Sequence, residues 1–291
     1  MDKLKIAEII STVTNPPIIT IPLFLIICIV LSFDNGAFDF NKFIVLELIS
    51  LVFASILPMA IILFWAKKLN TDKDISNRQD RFTPLIVGIV SYFIGFLISL
   101  FVNLDNFLTL LLLCYSVNTG VVLLITFKWK ISVHTTGLSG PVGALILLLG
   151  PFGAVFGILY PLMIWSRVLL KKHTLSQAIC GGVQGFFLTV VEMYLFMNLL
   201  NLPVTGIISL PSSILYILAI IATPINLGIV YYYEFENQTI ALFAFEIIAF
   251  FILCTFGYEN ILIIFLIITL VSLLIAYLAR DDFRNHNPES S

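Results

Sequence analysis

Two of the three histidines, His134 and His173, stand among a cluster of arginines and lysines in short polar stretches of an otherwise apolar chain. Imidazole can act near neutral pH as nucleophile or as general acid and base. A planar guanidinium holds an anionic oxygen pair in bidentate fashion and stays charged. Each feature alone has an ordinary explanation, because a weakly basic ring suits a helix end at an interface and cations on one face set topology. Their conjunction says more than either part. The third histidine, His286, stands in a polar tail and reads as solvent-exposed.

The elements that must position these groups are membrane helices. Of 291 residues, 60% are hydrophobic and 11% charged, far from the roughly 25% charged of water-soluble domains. A helix needs about 20 apolar residues to cross ~30 Å of hydrocarbon. The candidate runs are 17–33, 43–65, 84–102, 107–127, 139–149, 152–170, 175–199, 213–233, 239–257 and 261–279. An all-α, polytopic transmembrane bundle of about ten spans is therefore expected. The fifth run is short, so it is expected to start nearer Ser132, with Gly150-Pro151 turning into the sixth. The stretches 67–83, 128–134 and 171–174 follow the second, fourth and sixth runs and so share one membrane face. The net charge of -2 gives no reason to expect nucleic acid. Cys28, Cys114, Cys180 and Cys254 lie in apolar runs and read as packing residues. The first apolar run lacks a small-x-small cleavage site and reads as a helix rather than a removed signal peptide.

Ser166-Arg167, five residues, His173, three residues, Gln177 forms one constellation; Ile131-Ser132-Val133-His134 forms a second, and Asn77-Arg78-Gln79-Asp80-Arg81 a third. Together they resemble the type 2 phosphatidic acid phosphatase superfamily of membrane lipid phosphatases, in a divergent prokaryotic form, over about 71–185. The family's third motif ends in aspartate where Gln177 stands. Its second has Pro-Ser-Gly-His, of which Ser132 and His134 remain. Its first begins with lysine where Asp74 stands, keeps the arginine at Arg81, and places the proline earlier than Pro84. The resemblance implies a six-helix catalytic core at 67–200; the apolar runs place transmembrane helices before it at 1–66 and after it at 201–279, with a polar tail at 280–291, and these flanking helices carry no such signal.

It further implies hydrolysis of a lipid phosphate monoester or prenyl diphosphate without metal or cofactor. His173 would be the nucleophile, forming a phosphohistidine, and His134 would protonate the leaving group and then activate water. Charge gathers on the equatorial oxygens in phosphoryl transfer, so fixed cations and backbone donors are needed. Arg167, Arg81 and Arg78 would supply them, with Ser132, and with Lys73 partly replacing the missing lysine. Gln177 carries two readings. As the aspartate equivalent it would fix the His173 tautomer; as the last residue of Thr174-Leu175-Ser176-Gln177 it would complete a capping box. In either case His173 precedes a helix N-terminus, where a phosphorylated ring is favoured.

Glu192 and Glu246 lie within apolar runs, where an ionisable group calls for a role or a partner. Glu192 is too deep for the chemistry, about 22 Å beyond Gln177 at helical rise. Gly181, Gly182 and Gly185 read as sites of close helix approach, and Asn118 and Thr119 as interhelical hydrogen bonders. A magnesium-dependent prenyltransferase would need a second aspartate cluster, yet no aspartate occurs between Asp105 and Asp281. A non-enzymatic transporter or scaffold on a degenerate phosphatase fold is the other alternative. Every basic residue except Lys42 falls on the face of the three motifs; without Lys73, Arg78, Arg81 and Arg167 the balance is still ten against one. By the positive-inside rule that places the motifs and both termini in the cytoplasm.

Overall fold

The computed structural model describes residues 3–69, 75 and 77–202, which are helical apart from one small hairpin. Lys73, Glu246, Cys254, His286 and the spans expected beyond 202 lie outside the described residues. The chain begins with α1 (Lys3–Val13) and α2 (Pro16–Leu31), bent by 58° at the break between them. Pro16 and Pro17 occupy the opening turn of α2, where a missing N–H costs nothing. Strands Phe33–Asp34 and Ala37–Phe38 then pair antiparallel across Asn35-Gly36, both with positive φ, as a two-residue hairpin turn requires.

Next come α3 (Phe40–Ser50) and α4 (Leu57–Lys68), joined by a π-helical turn, Leu51–Ile56, into one apolar rod. Pro58, just beyond that turn, cannot supply an amide to the helix ladder. The Ser91 hydroxyl donates to the Phe53 carbonyl at 2.8 Å, so a neighbouring helix satisfies a group within the irregular stretch. Helices α5 (Phe82–Phe101) and α6 (Asn106–Thr126) follow as a long antiparallel pair. Among the described residues, four helices are long and apolar enough to cross a bilayer, or five if α1 and α2 form one broken span. Leu48, Phe64, Ile86, Val90 and Phe101 are exposed on them, a surface suited to hydrocarbon rather than water.

The region of the expected fifth and sixth spans differs from the simple pair of crossings that hydropathy suggests. Helix α7 (Val133–Leu149) does begin beside Ser132, but at 17 residues it is short. No single tight turn follows. A 3-10 run, Gly150–Ile158, leads into α8 (Leu159–Leu169), and a Cβ on Gly153 would overlap the Leu145 backbone, so the chain folds back against α7. Protein covers α7 along most of its length, and the hydroxyls of Thr135, Thr136 and Ser139 bond back to the Ser132 and Thr136 carbonyls of the same segment.

Its main neighbour is α9 (Leu175–Leu199), and glycines set that contact. A Cβ on Gly181 would overlap the Ser132 carbonyl and the Thr135 hydroxyl, and one on Gly185 would lie 2.5 Å from the Thr136 carbonyl oxygen. The glycines of α9 thus permit close helix approach. Asn118 of α6 donates to Thr189 and Glu192 of α9, each at 3.1 Å, giving the intramembrane carboxylate a partner. Thr119 instead bonds the Tyr115 carbonyl within its own helix, a common use of a helical threonine. Cys28, Cys114 and Cys180 are buried, and none forms a disulfide among the described residues.

Candidate functional site

The third motif is built by two backbone devices in series. Helix α8 stops in a Schellman turn, in which Lys171 adopts φ 54°, the Lys171 N–H bonds the Val168 carbonyl at 2.9 Å, and the Lys172 N–H bonds the Arg167 carbonyl at 3.1 Å. The His173 N–H reaches the same Arg167 carbonyl at 3.3 Å. That turn folds the chain back and ties the backbone of His173 to that of Arg167. Helix α9 then starts with a capping box, since the Gln177 N–H bonds the Thr174 hydroxyl at 3.3 Å and the Thr174 N–H bonds Gln177 Oε1 at 3.2 Å.

Gln177 Oε1 also stands 3.3 Å from His173 Nδ1, so the two sequence readings of Gln177 are compatible in one conformer. The Lys130 carbonyl faces the same ring nitrogen at 3.2 Å. Both neighbours are acceptors, and the amide orientation follows from Thr174 donating to Oε1. Nδ1 therefore carries the proton and Nε2 the lone pair. Nε2 is buried and has no hydrogen-bond partner among the described residues. Burial first, then the charges of Arg81, Arg167 and Lys130, push the His173 pKa down to about 3, against a smaller opposing effect of the Gln177 bond. The ring is neutral at physiological pH.

His134 lies in the first turn of α7 and is 6% exposed. Arg81 and Arg167 act electrostatically on both imidazoles. Arg81, in a 3-10 turn (Gln79–Arg81) just before α5, donates from Nε to the Ile75 carbonyl at 2.8 Å and from Nη1 to the Ile131 carbonyl at 3.3 Å. It thereby ties the first motif to the second. Arg167 is fully buried, and its Nη1 donates to Ser11 Oγ of α1 at 2.6 Å. The structure thus brings His134, His173, Gln177, Arg81 and Arg167 together.

Two other candidates are occupied elsewhere. Arg78 donates from Nη1 to the Phe127 carbonyl at 2.5 Å and the Thr126 carbonyl at 3.3 Å, so it caps the C-terminus of α6. Ser132 is fully buried and serves the start of α7: its hydroxyl lies 3.5 Å from the Thr135 N–H and its carbonyl accepts from the Thr135 and Thr136 hydroxyls. Its own N–H donates to the Gln177 carbonyl at 3.1 Å, which fastens the second motif to the third.

Arg81 and His134 also wall a cavity of about 120 Å³ that reaches Tyr92 of α5 and Tyr115 of α6. At helical rise, Arg81 to Tyr92 is about 16 Å, so the cavity extends well below the polar face. Sequence reasoning did not single out Ser11, Ile75 or the carbonyls of Lys130 and Ile131. Main-chain acceptors leave no mark in side-chain identity. Ser11 was in principle visible, because Ala7, Ser11 and Thr14 recur at helical spacing as the small face of an amphipathic stretch. Compared with protein-family models, with curated proteins and with solved structures, the chain matches none.

Proposed function

We propose that this protein is a membrane phosphohydrolase, resembling the type 2 phosphatidic acid phosphatases, that cleaves a lipid phosphate monoester or a prenyl diphosphate through a phosphohistidine. The observation that carries the reading is the state of His173: Nδ1 is held by two acceptors, and Nε2 presents a buried lone pair on a ring that feels the charges of the buried Arg81 and Arg167. In the first step Nε2 attacks the terminal phosphorus, its bond to the leaving oxygen breaks (the alcohol oxygen of a monoester or the bridging oxygen of a prenyl diphosphate, which leaves as prenyl phosphate), and His134 gives that oxygen its proton. A bound phosphate dianion offsets the charge of Arg81 and Arg167 and favours that proton on His134. In the second step His134 takes a proton from water, whose oxygen displaces His173 and releases inorganic phosphate. Arg81 and Arg167 stabilise the charge on the equatorial oxygens throughout.

A cavity that begins at Arg81 and His134 and continues among apolar helices suits an amphiphile, with its phosphate at the polar face and its chain below. The basic residues around the motifs favour a cytoplasmic site. The test is phosphate release from lipid phosphates by the purified protein in detergent with chelator present, together with trapping of an acid-labile, alkali-stable phosphoprotein. His173→Ala is expected to abolish trapping and to lower turnover by several orders of magnitude, because the covalent route is lost. Full turnover in His173→Ala would overturn the mechanism, and an inert wild-type protein would favour the scaffold reading.

A further inference from the structure

The three motifs all lie beyond residue 66, yet Arg167 is held by a residue from the opposite end of the sequence. Helix α1 meets α8 through Ala7 and Ser11, one turn apart on the same face and 0% and 5% exposed. Two hydrogen bonds join the helices there. Ser166 Oγ donates to the Ala7 carbonyl at 2.7 Å, and Arg167 Nη1 donates to Ser11 Oγ at 2.6 Å. The first fixes the depth of α8 against α1; the second fixes the guanidinium. The other side of α1 exposes Ile9 and Val13, so the helix contributes to the site through its small-residue face alone.

We infer that Ser11 is a positioning residue that sets the plane of the Arg167 guanidinium for the phosphoryl group, making α1 part of the active site. The inference rests on the phosphohydrolase reading. Arginine carries several rotatable bonds, and bidentate binding to a phosphoryl group depends on the orientation of its plane. Holding Nη1 at 2.6 Å from a buried hydroxyl removes that freedom before substrate arrives. The hydroxyl is neutral, so it orients the cation without cancelling the charge that the transition state needs. Loss of such orientation depresses the chemical step more than ground-state binding, because small displacements cost rate steeply.

The test compares Ser11→Ala, Ser11→Val and Ser11→Thr in the full-length protein, reading kcat and KM on a lipid phosphate, the vanadate inhibition constant, and the thermal midpoint in detergent. Threonine keeps the hydroxyl, and valine has its shape without it. Ser11→Thr is expected to retain kcat within about threefold. Ser11→Ala and Ser11→Val are expected to lose about 10- to 100-fold in kcat, with KM changed less and vanadate bound correspondingly more weakly. Should Ser11→Ala fail to fold, Ser11→Cys, a weaker acceptor of similar size, is expected to fall between threonine and valine. A purely structural role for Ser11 would lower the thermal midpoint and spare kcat per folded molecule, and that result would overturn the inference while leaving the phosphohydrolase reading intact. A wild-type protein that neither turns over lipid phosphate nor binds vanadate would overturn both.

Discussion

Replacing Gln177 with glutamate changes one charge while keeping the cap, and so isolates the electrostatics of His173. Glutamate is as good as glutamine in a capping box, and a negative charge in the first turn suits the helix dipole. Gln177 Oε1 lies 3.3 Å from His173 Nδ1, so a carboxylate there stands about 4 Å from the ring charge. At an effective dielectric constant of about 20 that attraction is worth about 4 kcal/mol, or about 3 pKa units. Gln177 is half-buried, and solvent screening trims the shift to about 2 to 3 units. The ring, held near 3 in the native protein, should then titrate at about 5 to 6.

Opposite consequences follow for activity and stability. A protonated His173 has no lone pair on Nε2, so Gln177→Glu should acquire an acid limb in kcat/KM at about pH 5 to 6, where the native His173 contributes none. Stability should move the other way. The native ring has a folded pKa below its unfolded value near 6.5, so the unfolded chain binds the extra proton and stability falls as pH drops from 6.5 towards 3. At pH 5 this group costs the native protein about 2 kcal/mol, and the variant, with a pKa near 5.5, about 1 kcal/mol. Gln177→Glu should therefore be less active and more stable in mild acid. Ring nitrogen shifts of His173, a pH–rate profile and thermal midpoints at pH 5 and 7.5 check all three statements. An unshifted His173 titration in the variant would refute the geometry at Nδ1.

Two further outcomes follow from the packing and from the charge pattern. Gly181→Ala should destabilise the protein by about 1 to 3 kcal/mol and lower turnover, because its Cβ would push on the Ser132 carbonyl, two residues before His134; a native thermal midpoint would refute this. In a background lacking the native cysteines, Ala37→Cys should react with a membrane-impermeant thiol reagent in intact cells and Asn77→Cys should not, whereas the reverse pattern would place the site outside.

Among the described residues, the helical class and the bounds of α2, α5, α6 and α9 were legible because apolar runs of sufficient length have few alternatives in a membrane. The run at 107–127 became Asn106–Thr126, and that at 175–199 became Leu175–Leu199. The 139–170 region was less legible, since hydropathy does not report that α7 is enclosed by other helices and can therefore be short. In the site, the grouping of His173, Arg167, Gln177, His134 and Arg81 could be read from the resemblance of their motifs to the phosphatase family, with the apolar runs independently putting the three motifs on one face. The capping roles of Arg78 and Ser132 could not. A guanidinium satisfies a helix C-terminus as well as it does an anion, and only the position of the Thr126 and Phe127 carbonyls decides between them. Helix α1 escaped notice because its buried face is made of small residues, which carry little hydropathic signal.

The spacing in the third motif has a physical reason that also accounts for what can vary within it. His173 follows Arg167 by six positions because a Schellman turn must close on the Arg167 carbonyl before the chain can reverse, and Gln177 follows four positions later because a capping box must open the next helix. The turn constrains backbone conformation, with Lys171 at φ 54°, while the box also needs the Thr174 hydroxyl as acceptor for the Gln177 N–H. At position 177 the geometry asks only for an acceptor that reaches both the Thr174 N–H and Nδ1 of His173, and an amide oxygen meets it as a carboxylate would. The choice alters charge rather than shape. With glutamine, burial and the nearby cations act on His173 against the opposing neutral dipole of the amide, and the ring stays unprotonated. Arg81 is held in the same way by the carbonyls of Ile75 and Ile131, and Arg167 by the hydroxyl of Ser11. Those bonds are to neutral acceptors, so they orient the guanidiniums without cancelling their charge, as the proposed phosphoryl transfer requires.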